Sequence, residues 1–306
     1  MKLKNVKKIN RLFPVLIVML LCSCKKQVKE YLPGPEAAGI NFYNASEVMN
    51  SAADLRKDNY VFINDSVANG VFKQFPKYAD VYTPLSDLRQ YPYNRTGTIF
   101  NQSGVISDRY QYVYYMPIAL GTYKFIYSGP NKIFLKDMSV TLNERDELNA
   151  LYLVESPEAD NAYRVVNVPE AYKGTPGKVR IRFVHLGTDS KEFVIKRADA
   201  NGQDIAADLP KNLPFGGFSD YVELDTAGTS ATSKNFVFKI YDVADPSKQV
   251  LSTAVPAEPN GSFVVLIQGF RQTTTRRIPT GYANGNTTYQ TVNISPNFRI
   301  NLRRTY

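Results

Sequence analysis

Apolar and polar residues alternate with period two in several short runs of this chain. Val179, Ile181 and Phe183 stand against Arg180 and Arg182; Phe236, Phe238 and Ile240 against Lys239 and Tyr241; Phe298, Ile300 and Leu302 against Arg299 and Arg303. Successive side chains of a strand point to opposite faces, so each run predicts a strand with one face in a core and the other in water. Residues 263–267 are apolar throughout, which predicts a central strand covered on both faces. Only residues 46–57 suggest a helix, and a short one. The pairs Asn69-Gly70, Asn201-Gly202 and Asn260-Gly261 sit beside strand-like runs, where tight hairpins need residues that tolerate positive φ. Twisted sheets with one apolar face must bury it against another sheet, so the expected fold class is all-β, built from antiparallel β-sandwich domains.

A weak internal repeat divides the chain. Residues 38–46 correspond to 177–186, 121–127 to 236–241, and 150–154 to 263–267. Two similar domains are therefore expected at 38–170 and 176–272, the first carrying a Tyr-rich insertion at 72–115. Residues 273–306 form a basic C-terminal strand or tail. Composition agrees with strands and turns: among 306 residues there are 21 Tyr, 17 Phe, 18 Gly and 18 Pro, and no Trp.

The N-terminus reads differently. Lys2, Lys4, Lys7, Lys8 and Arg11 precede an uncharged, mostly aliphatic run at 12–21, the order of a secretory signal. Ten apolar residues are too few to cross about 30 Å of hydrocarbon as a helix. Five of the 37 basic residues and none of the 28 acidic ones lie in 1–23, so removing that segment reduces the formal charge from +9 to +4. Leu21-Cys22-Ser23-Cys24 resembles the lipobox of bacterial lipoproteins. The resemblance implies cleavage before Cys24, lipidation of its sulfur, a tether over 24–37, and residence at the outer membrane, on either of its faces. Two or three acyl chains hold a protein stably where one does not. A disulfide or metal pair between Cys22 and Cys24 is the competing reading, and the cleavage signal disfavours it.

Residues 177–185, Pro214-Phe215-Gly216-Gly217-Phe218-Ser219-Asp220-Tyr221-Val222 and residues 261–269 resemble the DUF4397 family of bacterial secreted and lipoprotein domains. Residues 40–46, ending Asn44-Ala45-Ser46, resemble the first motif of an earlier copy. The likeness implies two Ig-like sandwiches in tandem in a Bacteroidetes-type lipoprotein; the family carries no established activity.

Candidate chemistry is sparse. His185 is the single histidine, keeps the parity of the inward row 179–183, and is expected to make a local hydrogen bond there. No G-x-S-x-G elbow and no phosphate-cradling glycine loop occurs, and one histidine cannot build a His-rich metal site. No metal and no cofactor are expected. The run 199–204 has the wrong spacing for a calcium loop and reads as a hairpin turn; 143–147 reads as a solvated turn. Tyr91, Tyr93, Tyr112 and Tyr114 with Arg95 are the candidate ligand-binding residues, because tyrosine offers a flat apolar face with a polar tip. Ser66 and Thr226 match an Asp-Ser/Thr-aliphatic glycosylation pattern of Bacteroidetes-type bacteria. From residue 261 on there is no acid and there are six arginines, Arg271, Arg276, Arg277, Arg299, Arg303 and Arg304. They suggest either an anion-binding patch or, preferably, a final edge strand with outward arginines. The expected function is non-enzymatic: an envelope binding or scaffolding module for glycan or protein, with nucleic acid unlikely as a partner. The alternative is a carbohydrate-active hydrolase, or its accessory subunit, using paired carboxylates.

Overall fold

The computed structural model describes residues 37–52, 54–55, 60–64, 115–170, 174–205, 207–226 and 235–305, with six two-residue strand segments between 67 and 113. The protein is all-β. A first set of strands comprises β1 (Ala37–Asn44), β2 (Val61–Ile63), β3 (Met116–Ala119), β4 (Gly121–Ser128), β5 (Phe134–Leu142), β6 (Leu148–Glu155) and β7 (Tyr163–Glu170). They make two sheets, ordered β7-β6-β1-β3 and β5-β4-β2. The second set comprises β8 (Lys178–Gly187), β9 (Glu192–Ala198), β10 (Asp204–Ile205), β11 (Val222–Asp225), β12 (Asn235–Asp242), β13 (Asp245–Pro256) and β14 (Ser262–Gly269). It continues through β15 (Thr274–Ala283), β16 (Asn286–Ile294) and β17 (Arg299–Arg304). Its sheets are ordered β11-β8-β14-β17 and β10-β9-β12-β13, while β15 and β16 form a separate hairpin.

The two sets repeat one topology in the same chain order. β1 and β8 open them, β4–β5 and β12–β13 are the hairpins of the outer sheets, and β6 and β14 return beside the opening strands. These returning pairs, β1–β6 and β8–β14, run parallel, whereas a wholly antiparallel arrangement was expected. A parallel neighbour needs a long crossover, and almost a whole repeat separates the two strands.

The inner sheets pack face to face, giving four layers. Tyr43, Tyr152, Val154, Val166 and Val168 of the first sandwich meet Val184, Leu186, Val264 and Leu266 of the second. On their other faces, Phe42, Leu151 and Leu153 enter one core, and Ile181, Phe183 and Val265 the other. β14 is therefore covered on both faces, as its apolar run requires. The same contact corrects two expectations of half-buried strands: Arg182 of β8 and Arg303 of β17 face the opposite sandwich rather than water, and both are buried. β12 behaves as expected, with Phe236, Phe238 and Ile240 in the core and the Lys239 ammonium outside, paired with Asp204.

Each sandwich also reaches into the other. The chain between β2 and β3 supplies Tyr112–Val113, which pairs in parallel with β17 at Arg304, so the end of the anticipated edge strand is covered. The chain between β14 and β17 supplies the hairpin β15–β16, whose Ile278 and Ile294, with Phe270, complete the core of the first sandwich. The helix expected over 46–57 is one turn, α1 (Glu47–Asn50), with Ser46 as its N-cap accepting from the Met49 amide at 3.1 Å. Because hairpin and first core share apolar residues, Ile278→Val should cost about 1 kcal/mol. Calorimetry should show it shifting one cooperative transition; two separate transitions, only one of them moved, would contradict the shared core.

Candidate functional site

Several of the expected site residues lie outside the described part of the chain: Cys24, Ser66, Tyr91, Arg95 and Tyr114. Tyr93 and Tyr112 are placed only as backbone, each in a two-residue strand, on different sheets. Thr226 follows β11, and its hydroxyl donates to the Gly177 carbonyl at 2.5 Å, a bond that modification would have to break.

His185 is fully buried. Its ring lies 4.2 Å from Phe193, and Nδ1 accepts the Gly187 amide at 3.1 Å, which is the local hydrogen bond its parity suggested. Burial pushes its pKa down to about 3, so it is neutral. Ser190 is nearby and buried, but its hydroxyl makes no hydrogen bond to the imidazole; Asp242 is engaged by Arg271 and the Ala244 amide. No Ser-His-Asp relay is assembled here. The run 199–204 is a hairpin turn, with the Asp199 carboxylate accepting the Asn201 and Gln203 amides at 2.9 and 2.8 Å. In the turn 143–147, Glu147 accepts the Asn143 amide at 3.1 Å.

The six C-terminal arginines are committed within the chain. Arg271 pairs with Asp242, Arg277 with Asp160, Arg299 with Glu47 and Arg304 with Glu258. Arg276 donates to the Ser156 and Ala159 carbonyls at 2.9 and 2.7 Å. Arg303 donates to Tyr152 at 2.8 Å and to Asn41 Oδ1 at 2.6 Å, with its guanidinium 4.5 Å from the Tyr43 ring. Arg276, Arg277, Arg299 and Arg303 thus tie the chain after β14 to the first sandwich, Arg271 and Arg304 pair within the second, and the six do not form the outward row expected of an edge.

Beside Arg303 the joint holds a carboxyl. Glu170 is 7% exposed; its Oε2 accepts the Tyr221 hydroxyl, and its Oε1 has no hydrogen-bond partner. Burial pushes its pKa up to about 7, opposed by the Tyr221 bond and by Arg182, Arg303 and Arg180. Arg182 donates to the Pro169 carbonyl and stacks 4.2 Å from the Tyr221 ring. This explains the Phe215–Tyr221 motif: Phe215 packs into the joint, Ser219 accepts the Phe183 amide at 3.0 Å, and Tyr221 reaches the opposite sandwich. Two further acids interact across the structure, Glu47 and Glu155, both buried and hydrogen-bonded. Glu47 accepts from Gln268 and Asn297, and Glu155 from Ser46 and the Val48 amide. Neither offers the open carboxylate that hydrolysis demands.

Among the described residues the exposed aromatic rings are Phe134, Phe218, Tyr282 and Tyr289, and the last two lie together on the β15–β16 hairpin. Asn284 and Gly285 have φ of 50° and 81°, the conformation of a tight type I′ turn. Opposed residues share a face, so the pairing of Tyr282 with Thr287, two positions from Tyr289, puts both tyrosines on the outer face with Arg277 and Thr291. Tyr282 is 38% and Tyr289 43% exposed, and the Arg277 guanidinium lies 5.3 Å from the Tyr289 ring. A bulge between Pro279 and Gly281 keeps this phase, and a Cβ at Gly281 would stand 2.5 Å from Thr288 Oγ1, so that hydroxyl would have to turn aside. The sequence signal for this face is Asn284-Gly285 flanked by Tyr282 and Tyr289, a fourth Asn-Gly pair beyond the three that sit beside the alternating runs. Among the described residues no group of three or more His, Cys, Asp or Glu could hold a metal, and no helix is long and apolar enough to cross a membrane.

No family model and no curated protein matches the chain. Among solved structures, the family CBM26 module CBMbc from Eubacterium rectale Amy13K, in complex with maltoheptaose, is 14% identical; the alignment covers 85% of this chain and 97% of that one, with a TM-score of 0.20. A streptococcal virulence factor described for alpha-glucan binding is 15% identical over 76% of this chain and 92% of its own, with a TM-score of 0.22. A putative cell adhesion protein from Bacteroides fragilis is 11% identical over 85% and 97%, with a TM-score of 0.14. Likeness this loose carries no argument about a ligand, which rests on the chain's own surface.

Proposed function

We propose that this protein is a non-enzymatic outer-membrane lipoprotein, moored through Cys24, that binds a glycan on the outer face of the β15–β16 hairpin. The observation that supports it is the pair of exposed rings, Tyr282 and Tyr289, on one face of a two-stranded ribbon whose base is anchored in a core through Ile278, Val292 and Ile294. A sugar ring has an apolar face of C–H groups, and a fixed tyrosine covers it at little entropic cost.

The position of the face suits that role. β1 begins at Ala37 and runs parallel to β6, so the turn after β6, which carries Asp160, lies at the end of the first sandwich away from Ala37. The hairpin is tied to that end by Arg277–Asp160 and by Asn131, which donates to the Thr280 carbonyl at 2.9 Å. An eight-residue strand, about 25 Å long, separates it from the point where the tether enters. A chain lipidated at Cys24 would present this face outward.

Tyr282→Ala and Tyr289→Ala should each weaken binding to an envelope glycan about fivefold, and together reduce it below detection. Both side chains are solvent-exposed, so thermal stability should change by less than about 0.5 kcal/mol. Isothermal calorimetry against isolated capsular and outer-membrane polysaccharides reads the effect. Undiminished affinity in the double variant would end this reading.

A further inference from the structure

We propose that the Arg277–Asp160 pair is the polar half of the hairpin face and that it selects neutral sugars bearing adjacent hydroxyls over carboxylated or sulfated ones. This rests on the binding reading above and adds the ligand class. Arg277 Nε and Nη2 each donate at 2.7 Å, to Asp160 Oδ2 and Oδ1, in a two-pronged fork. The Arg277 amide also donates to the Asp160 carbonyl at 2.9 Å, so backbone and side chains hold the pair together.

Two properties follow from that geometry. The fork uses two of the five guanidinium hydrogens and about half the lone pairs of the carboxylate, leaving donors and acceptors side by side. Adjacent sugar hydroxyls each donate and accept, and match such an edge without rearranging it. The side chains are 44% and 45% exposed, so a ligand can reach them, and Tyr289 supplies the apolar wall beside them. The pair is also electrically balanced. Asp160's carboxyl is held below its ordinary range, chiefly by the hydrogen bonds from Arg277, and stays charged in any neutral buffer. An anionic sugar meets that carboxylate, or must pull the guanidinium from it.

The test uses affinity electrophoresis of the full chain through gels containing a neutral hexose polymer or a polyuronate, with thermal stability measured on each variant. The wild type should be retarded by the neutral polymer only. Arg277→Gln and Asp160→Asn should each weaken that retardation about tenfold, the value expected for hydrogen bonds to charged groups. Asp160→Asn, which frees the guanidinium and removes the repelling charge, should in addition gain retardation by the polyuronate. Arg277→Lys keeps the charge without the fork and should behave like Arg277→Gln. Retardation of the wild type by the polyuronate overturns the proposal, as does neutral-polymer retardation unchanged in both fork variants while Tyr282→Ala with Tyr289→Ala abolishes it. In that last case glycan binding stands and only the ligand class falls. If the tyrosine double variant also binds normally, the binding reading itself is lost.

Discussion

Glu170→Gln raises the stability of the protein at pH 8 by up to about 3 kcal/mol and leaves it nearly unchanged at pH 4.5. The carboxyl lies in the joint between the sandwiches, with one oxygen on the Tyr221 hydroxyl and the other unpaired, and burial lifts its pKa from 4.5 to about 7. Between those two pH values the native state holds a proton that the unfolded chain has lost. The stabilising contribution of the neutral group is therefore complete below pH 4.5 and is lost as pH rises to about 7. Above that, folding forces a charge into a site that cannot fully solvate it. Glutamine is the permanent analogue of the protonated acid, keeps an acceptor for Tyr221, and removes that cost. Glu155 is also raised by burial and His185 is lowered, but both titrate identically in parent and variant and cancel in the difference. Denaturant titrations at a series of pH values give the difference directly. A variant less stable than the parent at pH 8 would mean that Arg182 and Arg303 hold an ionised Glu170, and the argument would fail.

Arg303→Ala costs about 3–5 kcal/mol, the largest loss expected from a single change in the joint. Arg303 is 2% exposed and lies between Tyr43 and Tyr152 while bridging Tyr152 and Asn41. Truncation removes two hydrogen bonds, those to Tyr152 and Asn41, and opens a cavity where two sheets meet. Arg303→Met fills most of the volume and spares the desolvation of a buried charge, so it should cost less than Ala. The two predictions are coupled, because Arg303 also lowers the pKa of Glu170. In an Arg303→Ala background the Glu170 midpoint moves upward and the gain from Glu170→Gln at high pH grows. Additive effects of the two substitutions would show that the groups do not share one electrostatic site.

The candidate site was only partly legible. The tyrosines singled out from the sequence were those packed most densely in the Tyr-rich insertion, a criterion of local abundance. The exposed pair Tyr282 and Tyr289 is separated by an Asn-Gly turn and comes together only across the hairpin, with a bulge correcting the phase between them. The fork partner of Arg277 lies 117 residues away, in the turn after β6. Contacts of that separation leave no trace in periodicity, since nothing in the local pattern distinguishes an arginine facing water from one facing another sheet.

Of the three Asn-Gly turns, Asn69-Gly70 lies outside the described residues and Asn260-Gly261 joins strands of different sheets instead of closing a hairpin. What the sequence by itself determined is the strand content, the parity within each strand and the hairpin turn at Asn201-Gly202. These follow from local sterics and from the period of two with which strands present their side chains. Only the tertiary structure decided which faces meet water. Arg182 and Arg303 carry the pattern of half-exposed strands, yet both are buried, because the sandwiches stack sheet against sheet and each lends a segment to the other. The physical reason is that alternation specifies two faces of different polarity, while the burial of the polar one depends on partners for its charges. Here Tyr152, Asn41, Pro169 and Tyr221 supply them from distant parts of the chain.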